Sequence, residues 1–310
     1  MTEGLPIPDP ADQGRSGMVA VVGRANVGKS TLINRLLGEK VSIVSPVAQT
    51  TRNLIRGIHT EARGQICFLD TPGMHRAESD LGKVMNRIAR ASIDGVDAIL
   101  FVMDVSREPR VEDDGWMRRL GRESTPVVGI LNKSDKPADH HEAYRALWNE
   151  VCAEKQVDKD MEWLHLSAQD GRGTETLLDR LFALMPLGPH LFPADIISDF
   201  PRKLNVADVV REKFFAHLQD EMPHSIAVWV EDINESGEGW DVDAVVYVQR
   251  HSQKGIVIGH KGRLLRTVRR AAEAELAAMY EVPVRVGLWV KVETNWAKNF
   301  WLLKKFGYIE

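Results

Sequence analysis

Apolar and polar positions follow two different rhythms along this chain, and the change between them divides it. Over the first two-thirds, short apolar runs recur at Met18–Val22, Leu54–His59, Gln65–Leu69, Ala98–Met103, Val127–Leu131 and Trp163–Leu166. Each has the length and apolar content of a buried strand. Between them, Leu81–Ile93, Val111–Gly121, Asp139–Glu154 and Thr174–Met185 repeat their apolar residues at helical spacing. Buried strands alternating with helices predict a doubly wound, mostly parallel α/β sheet, whose ligands gather at the carboxyl ends of its strands.

The last third reads differently. Val206–Leu218 is an amphipathic helix, and Ser225–Ile233 and Trp240–Arg250 form a strand pair around the turn residues 234–239. In the second of these strands Val242, Ala244, Val246 and Val248 alternate with Asp241, Asp243, Val245 and Tyr247, which predicts a sheet with one wetter face. A final strand sets Val284, Val286, Leu288, Val290 and Val292 against Arg285, Trp289 and Lys291. This is a smaller α+β module. Between the two rhythms, four of the 14 prolines (Pro186, Pro189, Pro193 and Pro201) crowd into residues 186–203, an expected stiff linker. The chain is thus expected to comprise a loose tail over 1–16, a first domain over 17–185, the linker, and a second domain over 204–310.

Composition changes this picture little. The net charge of −4 argues against a protein coated in positive charge, although it leaves room for a local basic patch. Two cysteines, Cys67 and Cys152, make neither a disulfide framework nor a metal quartet. The polar, proline-bearing start predicts neither signal peptide nor anchor, and no apolar run reaches membrane-spanning length. The expected location is cytoplasmic, any membrane contact would be peripheral, and the expected state is a monomer.

Chemistry begins directly after the first strand. Gly23, Arg24, Ala25, Asn26, Val27, Gly28, Lys29 and Ser30 read GRANVGKS and fit G-x-x-x-x-G-K-[ST], followed by a helix carrying Leu32, Ile33, Leu36 and Leu37. Gly23 and Gly28 let the backbone curl so that N–H groups face an anion. Lys29 would reach the β- and γ-phosphates, and Ser30 would offer its hydroxyl to Mg²⁺. Asp70, Thr71, Pro72 and Gly73 follow the third strand; Asp70 could hold Mg²⁺ through water, and the Gly73 N–H could meet a γ-phosphate. Ahead of them, the polar loop from Ser45 to Asn53 could complete the Mg²⁺ shell with the hydroxyl of Thr50 or Thr51.

Asn132, Lys133, Ser134 and Asp135, reading NKSD at the end of another apolar run, choose the base. A carboxylate at Asp135 can accept both guanine N1–H and N2–H₂, donors that adenine lacks on that edge. Lys133 could lay its methylene stem over the base and Asn132 could brace neighbouring loops. Ser167, Ala168 and Gln169 follow the last strand and could offer backbone N–H groups to the guanine carbonyl.

In the second domain, residues 250–270 carry seven basic residues and no acid. Within this stripe lies GIVIGHKGRLLRTV, where Gly259 and Gly262 flank His260-Lys261 at a helix start. Ile256, Val257 and Ile258 are expected to support that turn from below. The pattern resembles a KH domain of the bacterial type, which implies that Ile258, Gly259, His260, Lys261, Gly262, Arg263 and Arg266 bind single-stranded RNA, about four nucleotides being clamped.

The ordered set GRANVGKS, QTTRN, DTPG, NKSD and SAQ resembles translation-factor-type GTPases. The wording GRANVGKSTL, QTTR, FPADIISD and LWVKVETNWA is similar to the Era family, through both domains. That resemblance implies a GTPase binding GTP or GDP with Mg²⁺ held by Ser30, Asp70 and Thr51, and catalysis resting on Thr51, Gly73 and Asn26. It implies as partners the 3′ end of small-subunit ribosomal RNA and the small ribosomal subunit during its assembly, with no DNA. Two departures stand out. Ala25 replaces the family's usual proline, and Met74 follows DTPG where Ras-like proteins carry the glutamine that orients water. A thioether cannot do this, so slow turnover is expected, and the resemblance suggests that Asn26 helps to hold a K⁺ beside the phosphates. Two other readings stay open: a P-loop ATPase, and a GTPase whose second domain binds protein. The segment Asn295–Gly307 is read as a short amphipathic helix whose aromatics could stack on RNA bases, although most are expected to pack in the core.

Overall fold

A computed structural model describes residues 14–47, 50–75 and 80–309. The chain separates into two compact units, residues up to 41 with 54–74 and 89–199, and residues 42–53 with 75–88 and 200–310. Two short pieces of the N-terminal half therefore belong with the C-terminal unit, which the proline-rich stretch alone gives no means of foreseeing.

The first unit is built on β1 (Arg15–Val22), α1 (Lys29–Leu37), β2 (Ile55–Glu61) and β3 (Gly64–Asp70). After α2 (Asp80–Ala91), most of which belongs to the second unit, come β4 (Ala98–Asp104), α3 (Val111–Leu120), β5 (Val127–Asn132), α4 (His141–Lys155), β6 (Glu162–His165) and α5 (Thr174–Leu184). The six strands lie in the order β2-β3-β1-β4-β5-β6. Only β2 runs antiparallel, in a tight hairpin with β3, and the other pairings are parallel. β3 and β4 are buried at every position, because helices cover both faces of a parallel sheet. One face packs Val19, Val21 and Leu100 against α1 and α5; the other packs Phe101 and Met103 against Trp116 and Tyr144. The strand order reverses around β1, so the loop after β1 opens into the crevice where such sheets bind ligands.

Much of the proline-rich stretch is fixed to this unit. Phe192 N–H donates to Gln65 Oε1 at 2.8 Å, Ile58 N–H donates to Ile197 O at 2.7 Å, and Arg56 pairs with Asp199 at 2.8 Å.

The second unit carries α6 (Arg202–Phe215), a one-turn α7 (Met222–Ser225), β7 (Ile226–Ser236), β8 (Gly239–Val248), α8 (His251–Ile258), α9 (Arg263–Tyr280), β9 (Val284–Val292) and α10 (Phe300–Lys305). α6 starts inside the expected linker. β8 pairs antiparallel with β7 and parallel with β9, the helix pair α8–α9 making the crossover. One sheet face buries Val228, Val242, Ala244 and Val246 against α6 and α9. The second face is wet only in part. Asp241 and Asp243 are exposed, but Val245 and Tyr247 lie under Leu81, Met85, Trp296, Leu303 and Phe306. The expected wetter face fails there because an aromatic C-terminal segment covers it, and alternation within β8 carries no trace of that cover.

Candidate nucleotide and nucleic-acid sites

Gly23 and Gly28 both have positive φ, 147° and 102°. A Cβ on Gly23 would meet the backbone Val102 O at 2.4 Å, which excludes a side chain there, and one on Gly28 would press on Asn132 Nδ2 at 2.4 Å. The loop closes around Lys29, whose ammonium donates to Gly23 O at 3.2 Å and Arg24 O at 3.0 Å. Burial lowers the Lys29 pKa to about 8, outweighing the attraction of Asp70. A desolvated ammonium held by two loop carbonyls is a site that a phosphate would satisfy, since an anion there favours the charged form that burial disfavours.

Ser30 Oγ donates to Asp70 Oδ2 at 2.7 Å, bringing a hydroxyl and a carboxylate from two elements to one point. This oxygen pair suits a Mg²⁺ shell completed by water and phosphate. Thr71 Oγ1 is turned inward to Val21 O at 2.8 Å. Gly73 lies so close to the phosphate loop that a Cβ would fall 2.6 Å from Ala25 Cα. Beyond it, Met74 N–H donates to Gly23 O at 3.2 Å and Ala25 N–H to Met74 O at 3.3 Å. Pro72 is buried between them.

At the other end of the crevice, Asn132 ties two loops. Its Nδ2 donates to Val27 O at 2.7 Å, and its Oδ1 accepts from Ala168 N–H at 2.9 Å. Lys133 sits at φ 68° and donates to Asn26 O and Asp104 Oδ2, both at 2.7 Å. Ser167 Oγ donates to Asp135 Oδ1 at 2.8 Å, and Ser134 N–H donates to Leu166 O at 3.3 Å. Gly28, Thr31, Asn132, Lys133, Asp135 and Gln169 line one cavity of about 190 Å³. The two loops thus meet in a slot with an aimed carboxylate at its edge.

Three supporting residues escaped the sequence reading. Asp104 anchors Lys133, and its place at the carboxyl end of β4 is the signal that could have found it. Arg35 of α1 donates to Ala168 O and Gln169 O. Asp113 of α3 pairs with Arg24 at 3.0 Å, both residues buried. No sequence motif points to these last two.

Thr51 and Thr50 lie in the second unit. There Arg52, 1% exposed, donates to Ile226 O, Pro223 O and Tyr308 Oη at 2.9, 3.1 and 3.3 Å. Arg211, paired with Asp208 at 2.8 Å, donates to Thr50 O at 2.8 Å. The same unit carries the basic turn. Gly259 and Gly262 have φ of 72° and 73°, and a Cβ on Gly259 would fall 2.8 Å from Leu264 Cβ. His260, Lys261, Arg263 and Arg266 are exposed, with Ile258 half-buried. Of the three residues expected beneath the turn, only Val257 is buried; Ile256 is half-exposed, because α8 turns that side outward.

Residues 18–133 match the family described as 50S ribosome-binding GTPase, and residues 221–297 match the KH domain family. GTPase Era of Geotalea uraniireducens is 41% identical over 297 residues, covering 96% of this chain and 98% of that one. The chain belongs to the Era family of GTPases. The Era protein of Caldanaerobacter subterraneus subsp. tengcongensis is 40% identical over 95% of this chain and 98% of its own. A crystal structure of Era in complex with MgGDPNP and nucleotides 1506–1542 of 16S ribosomal RNA superposes with a TM-score of 0.88 at 35% identity, covering 96% of this chain and 100% of that one. A single-residue variant of Aquifex aeolicus Era bound to GDP·AlF₄⁻ gives 0.87 at 34% identity, with 96% and 100% covered. Among the described residues no helix is long and apolar enough to cross a membrane.

Proposed function

We propose that this chain is a GTP-hydrolysing switch that binds the 3′ end of small-subunit ribosomal RNA in the cytoplasm during assembly of the small subunit. The observation that carries this reading is the likeness, over 96% of the chain, to an Era protein solved with MgGDPNP and 16S RNA nucleotides 1506–1542. Asp135 selects guanine, Lys133 and Asn132 set the walls of the base slot, and Lys29 and the loop amides take the phosphates. Mg²⁺, when bound, neutralises developing phosphate charge. Ser30 and Asp70 would hold it, Thr51 joining in the GTP state. Gly73 N–H is the donor for the γ-phosphate, and Asn26 supplies a carbonyl-bearing side chain for K⁺. On the RNA side, Gly259–Gly262 lets the nucleic-acid backbone approach while Lys261, Arg263 and Arg266 take phosphates.

Thr51 belongs to a segment fixed by Arg52 in the core of the unit that carries the RNA turn. Ordering or releasing that segment with nucleotide state is then felt by the RNA-binding unit. The test is the dissociation constant for RNA of the 1506–1542 sequence, measured with a GTP analogue and with GDP. A several-fold difference is expected; equal values in both states, or competition of ATP with GTP, would overturn the reading.

A further inference from the structure

The aromatic C-terminal segment does two jobs. Trp296, Leu303, Phe306 and Tyr308 are buried on the second sheet face, as core packing requires. Phe300 and Trp301 are not; they stand 53% and 75% exposed. Their rings meet edge to face, with centroids 5.5 Å apart and planes at 81°. Asn299 fixes the helix start by accepting from Trp301 N–H and Leu302 N–H at 3.0 and 3.3 Å. The pair is therefore presented outward by a helix whose opposite side is anchored.

Neither ring fills the core, so fold stability does not account for them. Exposed aromatics of this size side by side mark a contact surface. The charge beside them indicates the partner. Lys304 and Lys305 follow Trp301 at three and four residues, which puts two ammoniums on the ring's own side of the helix. From Asn295 to Ile309 the chain has Lys298, Lys304 and Lys305 and no acid. Lys305 Nζ also lies 5.2 Å from the centroid of Trp229 on β7. Flat rings flanked by cations match a nucleotide, whose base stacks and whose phosphate pairs with an ammonium. A six-residue helix with two lysines among its rings offers too little apolar face to lie in a lipid interface.

We infer that Phe300 and Trp301, with Lys304 and Lys305, form a second RNA-binding surface that stacks unpaired bases beyond those held at Gly259–Gly262. This inference rests on the RNA-binding reading above. The full-length protein is titrated with RNA of the 1506–1542 sequence carrying 4-thiouridine, and Phe300→Ala with Trp301→Ala is compared with wild type. Base–aromatic stacking at two rings predicts affinity weaker by about tenfold or more, loss of crosslinks to residues 300–305, and an unchanged thermal midpoint. Lys304→Gln with Lys305→Gln should lower the salt slope by about 1.4. Lys261→Glu with Arg263→Glu is the control for the first RNA site. If that control loses RNA while the aromatic variant retains full affinity, the second surface is overturned and the RNA reading stands. If wild type itself binds no RNA, both fall. If the aromatic variant loses only its binding to anionic phosphatidylglycerol vesicles, the surface is a membrane contact and the inference is wrong.

Discussion

Ser167 Oγ donates to Asp135 Oδ1 at 2.8 Å, which orients the carboxylate that would read guanine. Both lie at loop ends braced by Asn132, which joins the phosphate loop to the Ala168 amide. For Asp135→Asn, two charge-assisted hydrogen bonds to guanine become one neutral bond and one donor–donor clash. GTP affinity should fall by roughly 10²- to 10⁴-fold. Xanthosine triphosphate, which presents an acceptor at C2, should gain on GTP. Competition titrations read both, and unchanged preference would remove Asp135 from base recognition. Ser167→Ala should weaken GTP by a smaller factor, about fivefold.

Lys29 makes the phosphate site sensitive to pH. Burial holds its ammonium at about 8, below its ordinary 10.5, and a bound phosphate would move it back up. GTP affinity should be flat below pH 8 and then weaken, approaching tenfold per pH unit while free Lys29 loses its proton and the bound form keeps it. Calorimetry above pH 8 in buffers of different ionisation enthalpy should show proton uptake on binding. The nucleotide-free protein should behave in the opposite way. Between about 8 and 10.5 the unfolded chain holds the proton and the folded one does not, so this group adds stability as pH rises through that window. Binding with no proton uptake at pH 9 would refute the assignment.

Much of this site was legible in the sequence because each motif follows an apolar run, and parallel strands deliver their carboxyl ends to one edge. Strand positions in the first domain were legible for the same reason. The second layer was not. Asp104, Arg35 and Asp113 are isolated polar residues whose partners lie far along the chain, so no local spacing exposes them. Val245 and Tyr247 misled because burial on that face comes from Trp296 and Phe306, which periodicity within β8 cannot report. Arg52 carries no signal of its own within the loop from Ser45 to Asn53. Its burial between Tyr308 and the Ile226 carbonyl is a tertiary fact, as is the attachment of residues 42–53 to the second unit.

Arg211 pairs with Asp208 at 2.8 Å, and both Arg211 and Arg52 donate to Tyr308 Oη, so two guanidiniums, one carboxylate and a phenol make a fully buried cluster. Burial pushes the Asp208 carboxyl up against the pull of Arg211 and Arg52, so the cluster depends on its two guanidiniums. Asp208→Asn removes the carboxylate paired with Arg211 and should destabilise the second unit by about 3–5 kcal/mol. Arg52→Ala strands two backbone carbonyls, partly offset by relief of repulsion with Arg211; about 2 kcal/mol is expected. Hydrogen exchange at residues 50–53 should rise in both variants before global unfolding does. Unchanged protection there would show that Arg52 does not hold the segment.

The contact between Gly73 and Ala25 gives the sharpest kinetic test. A Cβ at position 73 would fall 2.6 Å from Ala25 Cα and 2.7 Å from Ala25 N, both backbone atoms that cannot swing aside. Gly73→Ala must therefore displace either the phosphate loop or its own N–H, the donor proposed for the γ-phosphate. Single-turnover GTP hydrolysis should fall by about 10²- to 10³-fold, the loss typical of one preorganised donor. GDP binding, for which Lys29 and Asp135 are the proposed contacts and no γ-phosphate donor is called for, should stay within a few-fold. Met74→Gln separates geometry from chemistry. The Met74 side chain packs with the core beside Trp116, and its Cε approaches Gly115 of α3. A glutamine placed there meets the apolar neighbours of Met74, so hydrolysis should not rise, and stability should drop by about 1 kcal/mol from the partly buried amide. A rate increase of tenfold or more in Met74→Gln would show instead that the side chain turns toward the γ-phosphate when GTP is bound.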